Sequence, residues 1–130
     1  MKNRVKILVV LLVAIVVFSG IGFYFYQRDN SDVKEVTVEI ISKRDDFNEK
    51  ENYKTNIEYL GDLLKEENIV TDYEDSEYGM YIHGVKNMAD DPSAQYWWSI
   101  SVDGKSATQG ADALVLEDGK TYTLELKQGY

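Results

Sequence analysis

The segment Gln95-Tyr-Trp-Trp-Ser-Ile-Ser-Val-Asp-Gly104 indicates how this chain folds. From Tyr96 to Val102 the residues have the two-residue period that is typical of a half-buried strand. Asp103-Gly104 follows directly, and this dipeptide favours the two-residue turn of a β-hairpin. The segment therefore predicts a strand, a tight turn and the start of a second strand.

The two adjacent tryptophans of this strand belong to opposite faces, because successive side chains of a strand point to opposite sides. Trp98 shares its face with three other apolar or aromatic residues, so this face is predicted to join the core. Trp97 shares the other face with Ser99 and Ser101. A large aromatic residue among serines is consistent with a second packing layer and also with a surface on which a ligand stacks. The sequence leaves both interpretations open.

Similar patterns on both sides of this hairpin predict further strands. Residues 36–40 alternate between apolar and polar side chains, and residues 121–126 do the same after a second Asp-Gly turn. Residues 78–82 are predicted to form a strand that ends in a turn at His83-Gly84. The charged segment around Phe47 is predicted to be either a loop or a short strand.

One helix is predicted after these first strands. Thr55-Asn-Ile-Glu58 has the pattern of a capping box, in which the Thr and Glu side chains satisfy free amides at a helix start. Apolar residues then recur on one helical face as far as Asn68, which predicts a helix of about 12 residues. Gly61 within it costs about 1 kcal/mol relative to Ala and therefore indicates close packing against a sheet. One helix among many strands gives an α+β fold with an antiparallel or mixed sheet.

The N-terminal residues predict a membrane segment. Residues 7–26 contain no charged side chain, and 20 residues of helix span about 30 Å, the thickness of the hydrocarbon core of a bilayer. Three positive charges precede this run, so the N-terminus is expected in the cytoplasm. We therefore expect residues 1–27 to be a single-pass signal anchor in the cell membrane, 28–34 a linker and 35–130 an extracytoplasmic domain. The alternative is a secreted domain, released after signal cleavage near residue 20.

The exported part of the chain is strongly acidic. From Asn30 onward it has 10 Lys+Arg and 22 Asp+Glu, so its net charge is 10 − 22 = −12. Such a surface repels phosphate groups, so nucleic acids are not expected as partners. The chain has no cysteine, which excludes disulfide bonds and thiol chemistry.

The sequence contains no motif for catalysis or for metal binding. His83 is the one histidine, and its position at a predicted turn without neighbouring His or Cys favours a surface residue over a metal ligand. The four acidic residues within 72–77 lack the spacing of a calcium loop and are expected to form a solvated acidic loop. We therefore expect neither enzyme activity, nor a metal site, nor a required cofactor.

Several short segments carry a family resemblance: Tyr73-Glu74, Gly79-Met-Tyr-Ile82, Tyr96-Trp97, Gln109-Gly-Ala-Asp112 and Glu117-Asp-Gly-Lys-Thr-Tyr-Thr-Leu-Glu-Leu126. In this order they resemble the C-terminal domain of the transcobalamin and intrinsic-factor family of cobalamin carriers. The single-domain bacterial relatives called DUF4430 proteins are still more similar. The resemblance covers nearly the whole exported part and implies a β-grasp-like domain with one main helix.

The same resemblance implies a ligand site. In the cobalamin carriers this domain covers one face of the corrinoid with a tyrosine of the Gly-x-Tyr strand and with groups around the Tyr-Trp strand. At the matching positions of this chain, the implied ligand-binding residues are Tyr78, Tyr81, Trp97, Trp98, Gln109 and Gly110. Trp98 stands where the carriers tend to have Gln. We expect no counterpart of the carriers' large helical domain, so a partner would have to supply the other half of the site.

These features predict a membrane-anchored extracytoplasmic binding module. Its expected ligand is cobalamin or another corrinoid, and its expected neighbours are a membrane importer or another envelope protein. The alternative is a cell-surface domain that binds a protein or a polymer and uses its aromatic residues for packing alone. The fold by itself does not decide between them, because function depends on the site.

Overall fold

The computed structural model describes residues 33–130, and these contain eight strands, one α-helix and two short 3₁₀ turns. The strands are β1 Lys34–Ser42, β2 Phe47–Thr55, β3 Val70–Ser76, β4 Gly79–Val85, β5 Met88–Ala89, β6 Tyr96–Val102, β7 Lys105–Ser106 and β8 Thr121–Gln128. The helix, α1, is Leu60–Glu66, and the 3₁₀ turns are Pro92–Ala94 and Ala111–Ala113. The predicted α+β class with one helix is confirmed for this part of the chain.

The strands form two sheets. The larger one is a mixed sheet with the order β2-β1-β8-β6-β7, in which β1 and β8 run parallel and the other neighbours are antiparallel. The smaller one is antiparallel, with the order β3-β4-β5. The predicted hairpin turn at Asp103-Gly104 is confirmed, since it joins Val102 of β6 to Lys105 of β7.

One hydrophobic core connects both sheets and the helix. Its buried side chains are Val36, Val38, Ile40, Leu60, Leu63, Leu64, Ile69, Val70, Met80, Ile82, Val85, Trp98, Ala111, Leu116, Tyr122, Leu124 and Leu126. Burial of a large apolar side chain contributes about 1.5–3 kcal/mol. Tyr122 has the one buried phenol among residues 33–130, and this hydroxyl donates to the carbonyl of Val115 at 3.0 Å and accepts from the backbone N–H of Glu117 at 2.8 Å. Its polar end is therefore satisfied inside the core.

The helix is shorter than predicted, with seven residues instead of about 12. Thr55 ends β2, and its hydroxyl accepts from the backbone N–H of Ile57 at 3.0 Å instead of capping the helix. The residue before the helix is Tyr59, which forms a β-bridge with Val115 and makes no side-chain cap. The bridge between Tyr59 and Val115 keeps Tyr59 extended, so the helix starts at Leu60 and lacks the predicted first turn. Asn68 takes the predicted left-handed conformation, with φ 55°.

Two segments predicted as turns or loops are strands in the structure. β4 continues through His83-Gly84, and the chain reverses instead at Lys86 and Asn87, which both have positive φ. The acidic residues 72–77 belong largely to β3, whose side chains after Val70 are exposed, so their solvation was predicted correctly and their loop conformation was wrong. The alternative of a strand at Phe47 is the correct one, and β2 extends over nine residues because each pairs with a residue of β1.

The predicted anchor at residues 1–27 and most of the predicted linker lie outside the described residues. Within residues 33–130, no helix has the length and hydrophobicity needed to cross a bilayer.

Candidate functional site

Tyr81 is presented to solvent on a strand whose neighbouring residues are buried. Met80 and Ile82 point into the core, so Tyr81 between them points outward and is 50% exposed. Its ring centroid lies 4.7 Å from that of His83, which is two residues further along β4 and therefore on the same face. The two rings are tilted by 58°, and this arrangement holds the Tyr81 ring against a neighbour on a regular strand.

The environment of Tyr81 includes other polar groups. Partial burial raises the pKa of its phenol, and the charges of Asp90 and Tyr130 raise it further. The C-terminal residue Tyr130, 88% exposed, thus lies within electrostatic range of Tyr81 although 49 positions separate them in sequence. Tyr81 remains a neutral phenol near pH 7, able to donate one hydrogen bond and accept another.

His83 is held between two carboxylates. Its Nδ1 lies 2.9 Å from Asp90 Oδ2 and its Nε2 lies 3.2 Å from Glu74 Oε2. The hydrogen bond with Asp90 raises the pKa of His83 and that with Glu74 adds to this effect, while partial burial acts in the opposite direction. The two carboxylates lie at opposite ring nitrogens and do not converge on one point. Among residues 33–130, no group of three or more His, Cys, Asp or Glu side chains is arranged to hold a metal ion.

Trp97 is half-buried on the outer face of the larger sheet and is fixed to the C-terminal segment. Its indole Nε1 donates to the carbonyl of Gly129 at 2.7 Å, and the N–H of Gly129 donates to the carbonyl of Gln95 at 2.9 Å. Gly129 directly precedes Tyr130, which lies within electrostatic range of Tyr81. The C-terminal residues therefore bond to Trp97 of the larger sheet and end within electrostatic range of Tyr81 of the smaller one. We call Tyr81, His83, Trp97 and Tyr130 the aromatic site.

The remaining residues implied by the family resemblance lie elsewhere. Trp98 is 7% exposed in the core, and its Nε1 donates to the carbonyl of Met88 at 3.1 Å. Tyr78 is 88% exposed in the turn between β3 and β4. Gln109 lines a separate cavity of about 310 Å³ together with Val115 and other residues near the far end of β6. Their roles toward a ligand stay predictions.

Gly110 has a packing role that the sequence did not reveal. A Cβ atom at Gly110 would lie 2.9 Å from Oδ1 of Asp112 and 3.3 Å from the backbone nitrogen of Met80. Oδ1 of Asp112 accepts a hydrogen bond from that same nitrogen. The Gln-Gly-Ala-Asp motif therefore joins the second 3₁₀ turn to the start of β4, which positions the strand that presents Tyr81.

Sequence reasoning assigned neither His83 nor Tyr130 to the site. The sequence predicted a turn at His83, although a strand extended by one residue would have placed it on the face of Tyr81. Tyr130 had no such signal, because its position near Tyr81 depends on the long-range pairing of β8 with β6. Chemically, the aromatic site combines flat ring faces with phenol hydroxyls and with an imidazole that is hydrogen-bonded at both of its nitrogens.

Comparisons with known proteins give the family and the fold. The sequence model of the family described as "Domain of unknown function (DUF4430)" matches residues 54–128. No curated protein matches the chain. A crystal structure described as a candidate metal binding protein from Ruminococcus gnavus ATCC 29149 is 37% identical with a TM-score of 0.70, and the match covers 75% of this chain and 99% of that one.

The structure of haptocorrin in complex with Cbi is also similar. It has a TM-score of 0.54 and 13% sequence identity, and the match covers 75% of this chain but 26% of the haptocorrin chain. At this identity the similarity concerns the fold alone. It is nevertheless consistent with the predicted resemblance to the transcobalamin family, to which haptocorrin belongs.

Proposed function

This chain belongs to the DUF4430 family, and we propose that its domain is a binding module that offers the aromatic site to a flat ligand such as a corrinoid. The observation that carries the proposal is the exposure of Tyr81 on a regular strand, between two core residues and against the ring of His83. A half-exposed ring that is held in place loses little conformational entropy when a ligand stacks on it. The proposal assigns the module no reaction and no required cofactor.

The chemistry of the aromatic site suits a corrinoid. Ring faces such as those of Tyr81 and Trp97 cover the apolar surface of a macrocycle, and hydroxyl or main-chain groups match amides at its rim. The haptocorrin structure of similar fold contains Cbi, which supports this choice of ligand class. Because the aromatic site lies at the surface, it would bury one side of the ligand, and a partner protein would bury the other.

The N-terminal residues give this module a proposed place in the cell. The uncharged run at 7–26 follows three positive charges and would hold the domain at the outer face of the cell membrane. Tethering next to an importer or another envelope protein raises the effective concentration of two half sites without any new contact. Sequencing of the N-terminus of the mature protein tests this step, since cleavage near residue 20 would release the domain and remove the tether.

Calorimetric titration of the full chain in a non-ionic detergent with cyanocobalamin tests the ligand. We expect saturable binding that Tyr81→Ala weakens by roughly two- to tenfold, the range of one aromatic contact. Tyr73→Ala is the matched control, because Tyr73 is also a partly exposed tyrosine but contacts Lys65 instead of the aromatic site. Absence of saturable heat up to about 1 mM ligand would reject corrinoid binding by this chain alone.

The alternative function, a surface domain that binds a protein or a polymer, is favoured by Tyr78 and Tyr130, each 88% exposed. Exposed tyrosines at the surface are frequent contact residues in protein interfaces. A pull-down from an extract of the cell envelope with the same Tyr81→Ala and Tyr73→Ala variants distinguishes binding of a protein or polymer from binding of a corrinoid. Loss of a specific partner with Tyr81→Ala, together with no cyanocobalamin binding by the unmodified chain, would favour the alternative.

A further inference from the structure

A cationic groove lies where β1 ends beside β8. The parallel pairing of these strands ends at Ser42 and Leu126, whereas β8 continues to Gln128 with β6 as its neighbour on the other side. Among the described residues, no strand continues β1 beside residues 127–128. The groove left at this point has a volume of about 400 Å³, which is in the range of small-molecule sites.

Three of the residues that line this groove are basic. They are Lys43 and Arg44 of the turn after β1 and Lys127 of β8, and Tyr96 and Leu126 form an apolar part of the wall. Lys43 and Lys127 form no ion pair with any described residue. Their ammonium groups are therefore available to a ligand.

Arg44 is held in position from several sides. Its Nη2 donates to the carbonyl of Ala89 at 2.8 Å and to Oδ2 of Asp45 at 3.0 Å, and its Nε donates to the same oxygen at 3.2 Å. Its guanidinium carbon lies 5.1 Å from the centre of the Tyr96 ring, a cation–π distance. These contacts use Nε and Nη2, so the two N–H groups of Nη1 remain for a ligand.

The groove is less acidic than the domain around it. Lys43, Arg44 and Lys127 contribute +3, and Glu125 in the groove, Asp45 beside it and Asp91, which lies within electrostatic range of Arg44, contribute −3, so the local charges cancel. The chain from Asn30 onward has a net charge of −12. A monoanion therefore meets balanced local charge in this groove, whereas a dianion would add more negative charge to an already acidic surface.

We propose that the cationic groove binds the carboxylate of a ligand that also has an apolar or aromatic part. Nη1 of Arg44 donates to one carboxylate oxygen, the two lysines add charge, and the wall formed by Tyr96 and Leu126 receives the apolar part. The carboxylate belongs either to a small organic acid or to the C-terminus of a peptide, since both present the same group. The groove shares no residue with the aromatic site, but it adjoins it, because Lys127 is the cross-strand neighbour of Trp97.

An NMR titration of the ¹⁵N-labelled full chain in non-ionic detergent tests this site with benzoate as the probe. We expect saturable shifts at the amides of Arg44, Lys127 and Gln128 with benzoate, and none with its neutral isostere benzamide. Lys127→Gln is expected to weaken benzoate binding by roughly fivefold, the upper range of an exposed charge pair. Lys105→Gln, an exposed lysine on β7, makes the same charge change away from the groove and is expected to have no effect.

Further probes distinguish the two sources of the carboxylate, and three results would reject the proposed site. Tighter binding of N-acetyl-glycyl-phenylalanine than of benzoate would indicate a peptide C-terminus, and equal binding a small acid. Equal shifts with benzamide, or equal weakening by Lys105→Gln and Lys127→Gln, would show that no carboxylate site exists here. Tighter binding of phenyl phosphate than of benzoate would overturn the assignment to a carboxylate.

Discussion

Oδ1 of Asp112 accepts a hydrogen bond from the backbone N–H of Met80 at 3.0 Å, and this contact joins the second 3₁₀ turn to the start of β4. Glycines surround the contact, since a Cβ atom at Gly79 or Gly110 would lie 2.9 Å from the same oxygen. Two of the family-like motifs, Gly79–Ile82 and Gln109–Asp112, therefore meet at one point. Packing between the second 3₁₀ turn and the start of β4 explains why these motifs occur together, and it also positions Tyr81 on β4.

Replacement of Asp112 tests this connection. We expect Asp112→Ala to lower the free energy of unfolding by about 1–2 kcal/mol, because the N–H of Met80 loses its acceptor in a partly buried place. Urea denaturation followed by tryptophan fluorescence measures the change. Asp112→Asn is the control, since it keeps an oxygen acceptor and is expected to cost less. Equal stability of Asp112→Ala and the unmodified protein would contradict the proposed role.

Gly61 gives a second test, because its substitution by Ala has two opposing effects. Ala in place of Gly normally stabilises a helix by about 1 kcal/mol. Here a Cβ atom would lie 3.0 Å from both the Cα and the backbone nitrogen of Asp112, and a backbone cannot move away as a flexible side chain can. We therefore expect Gly61→Ala to lower the free energy of unfolding by about 1–3 kcal/mol, a typical cost of overpacking.

The control for this substitution is Glu66→Ala, at an exposed position of the same helix. Its effect on the free energy of unfolding is expected to be within about 0.5 kcal/mol, as is usual for surface positions. If Gly61→Ala instead stabilised the protein, the close approach of helix and turn would be wrong.

The sequence was informative where burial on one face leaves a local pattern. β1, β6 and β8 each bury one face in the core, so their alternation predicted them as strands. β2 lies at a sheet edge with mostly exposed polar residues, and its strand conformation depends on pairing with β1. The capping box at Thr55 was misleading because a local motif does not show that the chain is already paired elsewhere.

Prediction of the candidate site had the same limit. The family resemblance supplied Tyr81 and Trp97, and the C-terminal residues bond to Trp97 and end within electrostatic range of Tyr81. Tyr130 comes near Tyr81 only because β8 pairs with β6, and a motif of a few residues does not record such long-range pairing. The resemblance implied a ligand-binding role for Gly110, because a sequence motif does not show whether one of its residues is needed for packing or for binding.

The raised pKa of His83 predicts a pH dependence of stability. In the unfolded chain its pKa is near the ordinary value of 6.5, and in the folded protein it is higher. The charged form is thus favoured by folding, so this contribution is fully present below pH 6.5 and is lost as the pH rises through the folded pKa. A neutral imidazole has one N–H, so it cannot donate to Asp90 and Glu74 together.

Urea denaturation between pH 5 and pH 8, with NMR titration of the His83 ring, measures this linkage. His83→Gln is expected to remove this part of the pH dependence, and Glu74→Gln to lower the pKa of His83 toward its ordinary value. A His83 ring that titrates at or below the ordinary value would contradict the two hydrogen bonds.

The adjacent tryptophans provide the last prediction, because the structure separates a core residue from a surface one. Trp98 is 7% exposed within the core, so Trp98→Ala leaves a large cavity and is expected to cost about 3–5 kcal/mol of unfolding free energy. Trp97 is half-buried on the outer face, and Trp97→Ala removes one hydrogen bond to Gly129 and part of a contact surface. Its expected cost is about 1–2 kcal/mol.

Far-UV circular dichroism is the suitable measurement here, because each variant removes a fluorophore. Trp97→Phe serves as the matched control: it keeps an aromatic ring but loses the indole N–H, so it isolates the hydrogen bond to Gly129. Similar costs for Trp97→Ala and Trp98→Ala would mean that Trp97 is also a core residue. In that case its ring could not stack on a ligand, and the aromatic site would be reduced to the groups around Tyr81.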